Sequence, residues 1–417
     1  PMRSVFKYFL DREKNRRRWK IIFVFEKLLI GGKDRKIVAR SVIKRAIKRI
    51  YSVTGFFLLS PYRPKGIIRS IEQWIKDSLP PEMEGSCVKV IIPAETIFLK
   101  SPINVKEDHP AFKRGNKFYS SPAACLYFFK NASIVNENGV VMSSDGKVFA
   151  ELTSQFGIFI EQNEIFKSYI NKPQLRKECF ATITSSDNRG YFHWIFDSLP
   201  RLKLLEDVFD EIDYLIVPHN LKRFHIETLS LLGFTDDKLF KIKDGTHLKC
   251  ENLYVPSLPV GAAAMSRWVC EYLRDSFLPE NPVEPYRMIY ISRKDAIYRK
   301  IINENEVKEY LNGIGFETLQ MSGLHFTEQV KIYSEARIIV SPHGAGLTNT
   351  VFCQKAKILE LISPSYVGGF SKLASQVGNE YYYLMGEDAP GNSPPQWRDF
   401  KINLDELKRT LNIMLKK

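Results

Sequence analysis

The sequence predicts an α/β protein, with two α/β domains facing a cleft and a basic helical arm ahead of them. Three observations carry that expectation. β-rich and helix-patterned segments alternate from about residue 85 onward. The β-branched run in "IIVSPHGAGLTNTVF" (338–352) hands over through a glycine-bearing turn to a short apolar helix pattern. Charge, finally, is crowded at one end. Residues 1–65 hold 19 Lys and Arg against 4 Asp and Glu, a net of +15, whereas the remainder nets −1. The expected division is an arm over 1–65, an acceptor-side domain over 66–258, a nucleotide-binding domain over 259–390 and a C-terminal helix over 391–417.

Within the arm, "VARSVIKRAIKRIYS" (38–52) predicts an amphipathic helix. Val42, Ile43, Ala46, Ile47 and Ile50 share one face, with Arg40, Lys44, Arg45, Lys48 and Arg49 opposite. Such a helix suits an anionic membrane surface; packing on its own protein or on a second subunit is the plain alternative. Nucleic acid is not expected, because the body is not basic and no binding module is visible. No run reaches the roughly 18 apolar residues of a membrane span, and "WKIIFVFEKLLI" is short and carries charge. The six cysteines lie far apart with no C-x-x-C pair, which suits a reducing compartment. The expectation is therefore a cytoplasmic protein, peripheral at the inner face of the plasma membrane.

Along the body, "CVKVIIPA" and "ECFATITS" read as strands. "YFHWIFDSLPRLKLLEDVF" reads as a helix interrupted near Pro200, "YLIVP" as a strand and "RFHIETLSLLGF" as a helix. "VPSLPVGAAA" (255–264) is the expected inter-domain link. "RMIYISR", "FETLQM", "RIIVS" and "KILELIS" then alternate with helices, the first of which has Asn303 as its expected N-cap and Glu306 three residues on. Such a rhythm calls for a parallel sheet covered by helices.

Three motifs carry chemistry. In "SPHGAGLTN", Gly344 and Gly346 let backbone N–H groups approach a ligand closely, and the helix that follows offers unpaired N–H groups and a positive dipole end to a phosphate. His343, Thr348 and Asn349 add polar contacts; a turn whose glycines merely permit close packing is the competing reading. "YISRKDAIYRK" leaves another strand with Arg293 closest to its end. If that strand neighbours the one ending at Ser341, Arg293 reaches the same anion; otherwise this is a solvated basic loop. In "DNRGYFHWIFDSLPRL", His193 and Asp197 stand four residues apart, among Tyr191, Phe192, Trp194 and Phe196. That pair serves as a base with its partner, as two metal ligands, or as a structural His beside a surface Asp. No further residue has metal-ligand spacing, so no metal site is expected.

These pieces, in this order, resemble glycosyltransferase family 61, also described as the DUF563 group. The resemblance runs through "HWIFDSLPRL", "IYISRKD" and "ARIIVSPHGAGLTNTVFCQKAKILEL", about 180 to 363. Where family members often carry Pro-Gly after the helix, this chain has "QKAK". The resemblance implies a GT-B architecture of two Rossmann-like domains, and inverting, metal-independent transfer from a nucleotide-sugar, with UDP the expected carrier. The absence of any D-x-D triplet agrees with that. It further implies a glycan or lipid-linked acceptor in bacterial capsule or surface-polysaccharide synthesis. On this reading His343, Gly344, Ala345, Gly346, Leu347, Thr348, Asn349 and Arg293 hold the donor, with Glu360 on the ribose hydroxyls. Asp197 is the first choice of general base and His193 the second, and Trp194 and Arg201 contact the acceptor. The alternative function is a non-catalytic nucleotide- or glycan-binding subunit of a synthesis complex.

Overall fold

The computed structural model describes residues 60–78, 87–104, 112, 118–153, 158–259, 265–364, 369–390, 394 and 397–416. The basic arm up to residue 59, with the amphipathic helix expected over 38–52, lies outside the described residues, as does 260–264 of the expected link. Residues 64–166 and 170–417 form one compact unit.

That unit begins with β1 (Gly66–Ile68), α1 (Ile71–Ser78), β2 (Val88–Ile92), β3 (Glu95–Phe98), β4 (Phe118–Ser121) and the long β5 (Ala124–Val135). β6 (Val140–Met142), β7 (Lys147–Phe149) and β8 (Gln174–Thr182) lead to a helical turn, α2 (Tyr191–His193). A π turn (Trp194–Ser198) and a 3₁₀ helix (Leu199–Glu211) continue it, with Pro200 in the first turn of the latter, so the expected interruption is a change of helical pitch. β9 (Tyr214–Pro218), α3 (Arg223–Leu231), β10 (Leu239–Ile242), β11 (His247–Pro256) and α4 (Arg267–Phe277) complete the first half.

The second half is a regular alternation: β12 (Arg287–Ile291), α5 (Glu304–Gly313), β13 (Glu317–Leu319), α6 (Phe326–Ser334) and β14 (Ala336–Pro342). A 3₁₀ helix (Ala345–Phe352), β15 (Lys357–Ile362), α7 (Phe370–Val377), β16 (Glu380–Met385) and α8 (Leu404–Lys416) follow. Phe326, Val330 and Tyr333 recur at helical spacing on the buried face of α6. Gly378, at φ 79°, ends α7 in the left-handed conformation that favours glycine. Asn303 does precede α5, but its side chain makes no cap. Its amide bonds the backbone of Ile402 instead, tying the helix start to the C-terminal strand region.

Among the described residues the strands form a nine-stranded mixed sheet and a five-stranded sheet, besides two ribbons of two strands. The nine-stranded sheet runs β1-β7-β6-β5-β11-β8-β9-β10, with β2 also on β5. Its β11-β8-β9-β10 portion is parallel and its β5 ladders are antiparallel. The five-stranded sheet is parallel throughout, in the order β13-β12-β14-β15-β16. After β12 the chain first moves outward to β13 and then crosses back to β14. That reversal leaves a crevice at the carboxyl ends of β12 and β14, the place where open α/β sheets take ligands.

Strand alternation divides the core. Ile358 and Ile362 of β15 face a core shared with Trp194, Ile195 and Phe196, whereas Leu359 and Leu361 face one closed by Leu407, Leu411 and Met414 of α8. Glu360 falls between Ile358 and Ile362, so register alone points a carboxylate into an apolar face. It must be paired there.

Candidate functional site

Two His–carboxylate pairs define the site. The first is local. His193 Nδ1 lies 2.7 Å from Asp197 Oδ2, across the turn where the helix opens to π pitch. The side chains are 25% and 17% exposed. Burial alone would pull the imidazole down, but the hydrogen bond and charge of Asp197 outweigh it, so His193 holds its proton above the ordinary range. Burial pushes the Asp197 carboxyl up, against the pull of His193, and the negative charge of Asp187 raises both groups.

The second pair is assembled by the sheet. β14 delivers His343 beside β15, where its Nδ1 bonds the Glu360 carboxylate. Glu360 is fully buried, and its other oxygen accepts the Tyr381 hydroxyl from β16. The expected ribose ligand thus has both oxygens engaged inside the protein. Aromatic rings join the pairs: Phe192 lies 5.4 Å from the His193 ring and 5.7 Å from Phe370, which lies 5.4 Å from the His343 ring.

At the crevice, β12 and β14 are parallel neighbours, so Arg293 arrives on the edge that holds "SPHGAGLTN". A Cβ on Gly344 would fall 1.7 Å from Arg293 Nη1 and 2.6 Å from its Cζ. Gly344 is in extended backbone, so its side-chain-free state serves this close approach and not an unusual φ. A Cβ on Gly346 would come 3.1 Å from Ile291 Cγ2. Burial, then the charge of Arg299, lowers the Arg293 pKa, which is the situation of a cation short of an anion. Arg293 Nε and the fully buried Thr348 hydroxyl have no protein hydrogen-bond partner. Buried polar atoms in that condition fit a ligand rich in acceptor oxygens. Beside them, a polar cavity of about 600 Å³ at the ends of β12 and β13 is lined by Ser292, Lys294, Asp295, Lys308, Thr318 and Gln320. A cavity of about 920 Å³, lined by Trp74, Phe129, Lys130 and Tyr254 among others, involves none of these groups.

The remaining expected residues fall elsewhere. Asn349 is buried as a bridge: its Oδ1 accepts the Tyr191 hydroxyl at 2.5 Å and its Nδ2 donates to Gln329 at 2.8 Å. It therefore ties the turn to the His193 segment. Leu347 packs in the shared core, while Ala345 is exposed. Trp194, expected to meet an acceptor, is fully buried, with its ring edge-on to His225 and its Nε1 donating to Thr228 at 2.9 Å. Arg201, expected beside it, is also buried. Its guanidinium donates to the carbonyls of Pro256 and Thr184, so it presents no face to an acceptor. Burial pushes its pKa down to about 9, against the charge of Asp197. Sequence reasoning missed Tyr381 and Phe370. The run "EYYYLM" held a signal, since alternation puts Tyr381 and Tyr383 on the face shared with Glu360. Among the described residues, no group of three or more His, Cys, Asp or Glu is placed to hold a metal ion.

The family model for Glycosyltransferase 61 matches residues 191–359, the stretch that begins beside His193 and ends one residue short of Glu360. The chain is also 30% identical over 122 residues to the EGF domain-specific O-linked N-acetylglucosamine transferase of Drosophila melanogaster. That match covers 28% of this chain and 23% of the relative, so the chain spans under a quarter of the curated relative's length. Both comparisons support a glycosyltransferase.

Proposed function

We propose that the chain is an inverting, metal-independent glycosyltransferase that moves a sugar from a UDP-sugar to a glycan or lipid-linked acceptor. One observation carries the reading: Arg293, packed against Gly344 at the β12/β14 crevice, and Thr348 in the helix that follows both hold buried polar atoms that no protein group satisfies. The diphosphate would lie there, between Arg293 and the start of the Ala345–Phe352 helix, and the nucleoside would extend into the polar cavity over β12 and β13. Glu360, already bonded to His343 and Tyr381, acts as a positioning residue instead of a ribose ligand.

We place the two bases in the reverse of the expected order. With His193 Nδ1–H donating to the Asp197 carboxylate, the lone pair sits on Nε2, which makes His193 the general base and Asp197 its partner. Nε2 takes the acceptor hydroxyl's proton as the oxygen bonds the anomeric carbon from the side opposite the nucleotide. The bond from that carbon to the diphosphate oxygen breaks, and its electron pair leaves with the diphosphate. Arg293, His343 and the helix start stabilise the charge that grows there. The proton on His193 then passes to solvent.

A GT-B arrangement, a cytoplasmic place at the inner face of the plasma membrane, attachment through residues 1–65 and a role in surface-polysaccharide synthesis belong to the same proposal. The relative's name makes an N-acetylglucosamine donor the first to test. Calorimetry with UDP, GDP, CMP and ADP, with and without EDTA, tests the reading on the native chain and on His343→Ala. UDP-selective binding that ignores EDTA and weakens in the variant supports it; no binding to any nucleotide sinks it. Should UDP bind while no donor turns over with any acceptor and Asp197→Asn changes nothing, the chain is instead a nucleotide-binding subunit.

A further inference from the structure

We propose that the loop carrying Arg293 also presents a membrane-docking face, made by Ile297, Tyr298, Ile302 and Trp397 within a ring of cations and suited to an anionic lipid surface. Their exposures are unusual for such side chains: Ile297 89%, Ile302 58%, Trp397 52% and Tyr298 38%. Two of them meet, and Ile297 and Ile302 adjoin them along the chain. The Tyr298 and Trp397 rings stack 6.1 Å apart at 27°. The backbones are joined beneath them, because Ile302 N–H donates to the Phe400 carbonyl and Phe400 N–H to the Lys300 carbonyl. Arg299, next to Tyr298, sits at φ 59°, in the left-handed region.

Composition selects the occupant. Residues 293–302 carry Arg293, Lys294, Arg299 and Lys300 against the single carboxylate of Asp295. Arg299 lies over the Tyr298 ring at 5.1 Å, and Lys294 is exposed. Aliphatic side chains gain nothing from a sugar's hydroxyls. Exposed isoleucines with Tyr, Trp and Lys/Arg match the boundary where acyl chains meet anionic headgroups. The patch is also tied to the candidate donor site, since Arg293 Nη2 donates to the Tyr298 carbonyl at 3.3 Å. The purpose of the face, though not its existence, rests on the transferase reading: it would hold the crevice against a surface that presents a lipid-linked acceptor.

Hydrogen–deuterium exchange on the full chain, with vesicles of phosphatidylcholine alone or mixed with phosphatidylglycerol, tests this at residue level whatever the arm does. The expected result is protection of the amides of 294–299 and 397–398 by the anionic vesicles, lost at high salt. Ile297→Ser combined with Trp397→Ala should remove that protection and weaken vesicle binding about tenfold or more. These positions are exposed, and an unchanged melting temperature and unchanged UDP binding would show the variant intact. Vesicle-bound protein without protection of these amides overturns the proposal. So does protection by a soluble oligosaccharide or a protein but not by vesicles. UDP binding, measured on the same samples, reports separately on the transferase reading.

Discussion

The two His–carboxylate pairs use the same atoms in opposite ways. His193–Asp197 is local, four residues apart on one helical turn and partly exposed, with its imidazole raised towards protonation. His343–Glu360 spans 17 residues and two strands, is 8% and 0% exposed, and has its carboxylate shared with Tyr381. A pair that water can reach exchanges protons; one sealed in a core orients a ring. On the proposed mechanism the first pair would transfer the proton and the second would position a charge-stabilising group.

The most severe test of that division is His193→Ala. Transfer should fall by about 10²–10⁴, the usual contribution of a general base, while calorimetry shows UDP binding unchanged. Equal loss of binding and turnover would erase the distinction between the pairs. The pH profile sharpens the same point. The base must be unprotonated, so kcat/KM should fall as pH drops through a value above the ordinary imidazole range, because Asp197 raises His193. Asp197→Asn removes that support, and the acid limb should move to lower pH with a reduced plateau. A profile that stays in place in the variant would place the proton elsewhere.

Next in size is Glu360→Gln. A buried hydrogen bond to a charged group contributes about 1.5–3 kcal/mol, so denaturant unfolding should register a loss of that order. UDP affinity should drop with it, as His343 loses its orientation, and the pH limb assigned to His193 should not move. Retained stability and affinity would make the buried pair dispensable. Tyr381→Phe, which removes only a hydroxyl, should cost about 1 kcal/mol or somewhat more and weaken UDP less than Glu360→Gln. The reverse ranking would mean that Tyr381 acts other than through Glu360.

How far the sequence could be read follows from the same contrast. His193–Asp197 was visible because helical spacing brings i and i+4 together whatever the rest of the chain does. The elements of the second half were visible because each shows its own periodicity, from the apolar run of β15 to the Phe326, Val330 and Tyr333 spacing of α6. The burial of Trp194 and Arg201 was not visible, for the converse reason. Next to a catalytic-looking His, an aromatic and a cation suggest an acceptor site, and only tertiary packing shows that Trp194 is buried on His225 and Thr228 and Arg201 on the carbonyls of Pro256 and Thr184. Asn303 matched a cap pattern, yet the distant Ile402 backbone took its amide.

By itself the sequence determined the local grammar: the alternating elements of the second half, the glycine turn after β14, the spacing of His193 and Asp197, and the lopsided charge. Periodicity, turn chemistry and helical spacing are properties of short stretches, so they survive without knowledge of neighbours. The tertiary structure decided which strands adjoin. Through the β13-β12-β14 order it brought Arg293 against Gly344, and through the β14-β15-β16 register it closed Glu360 between His343 and Tyr381. Strand order is a product of long-range burial, and no window of sequence contains it.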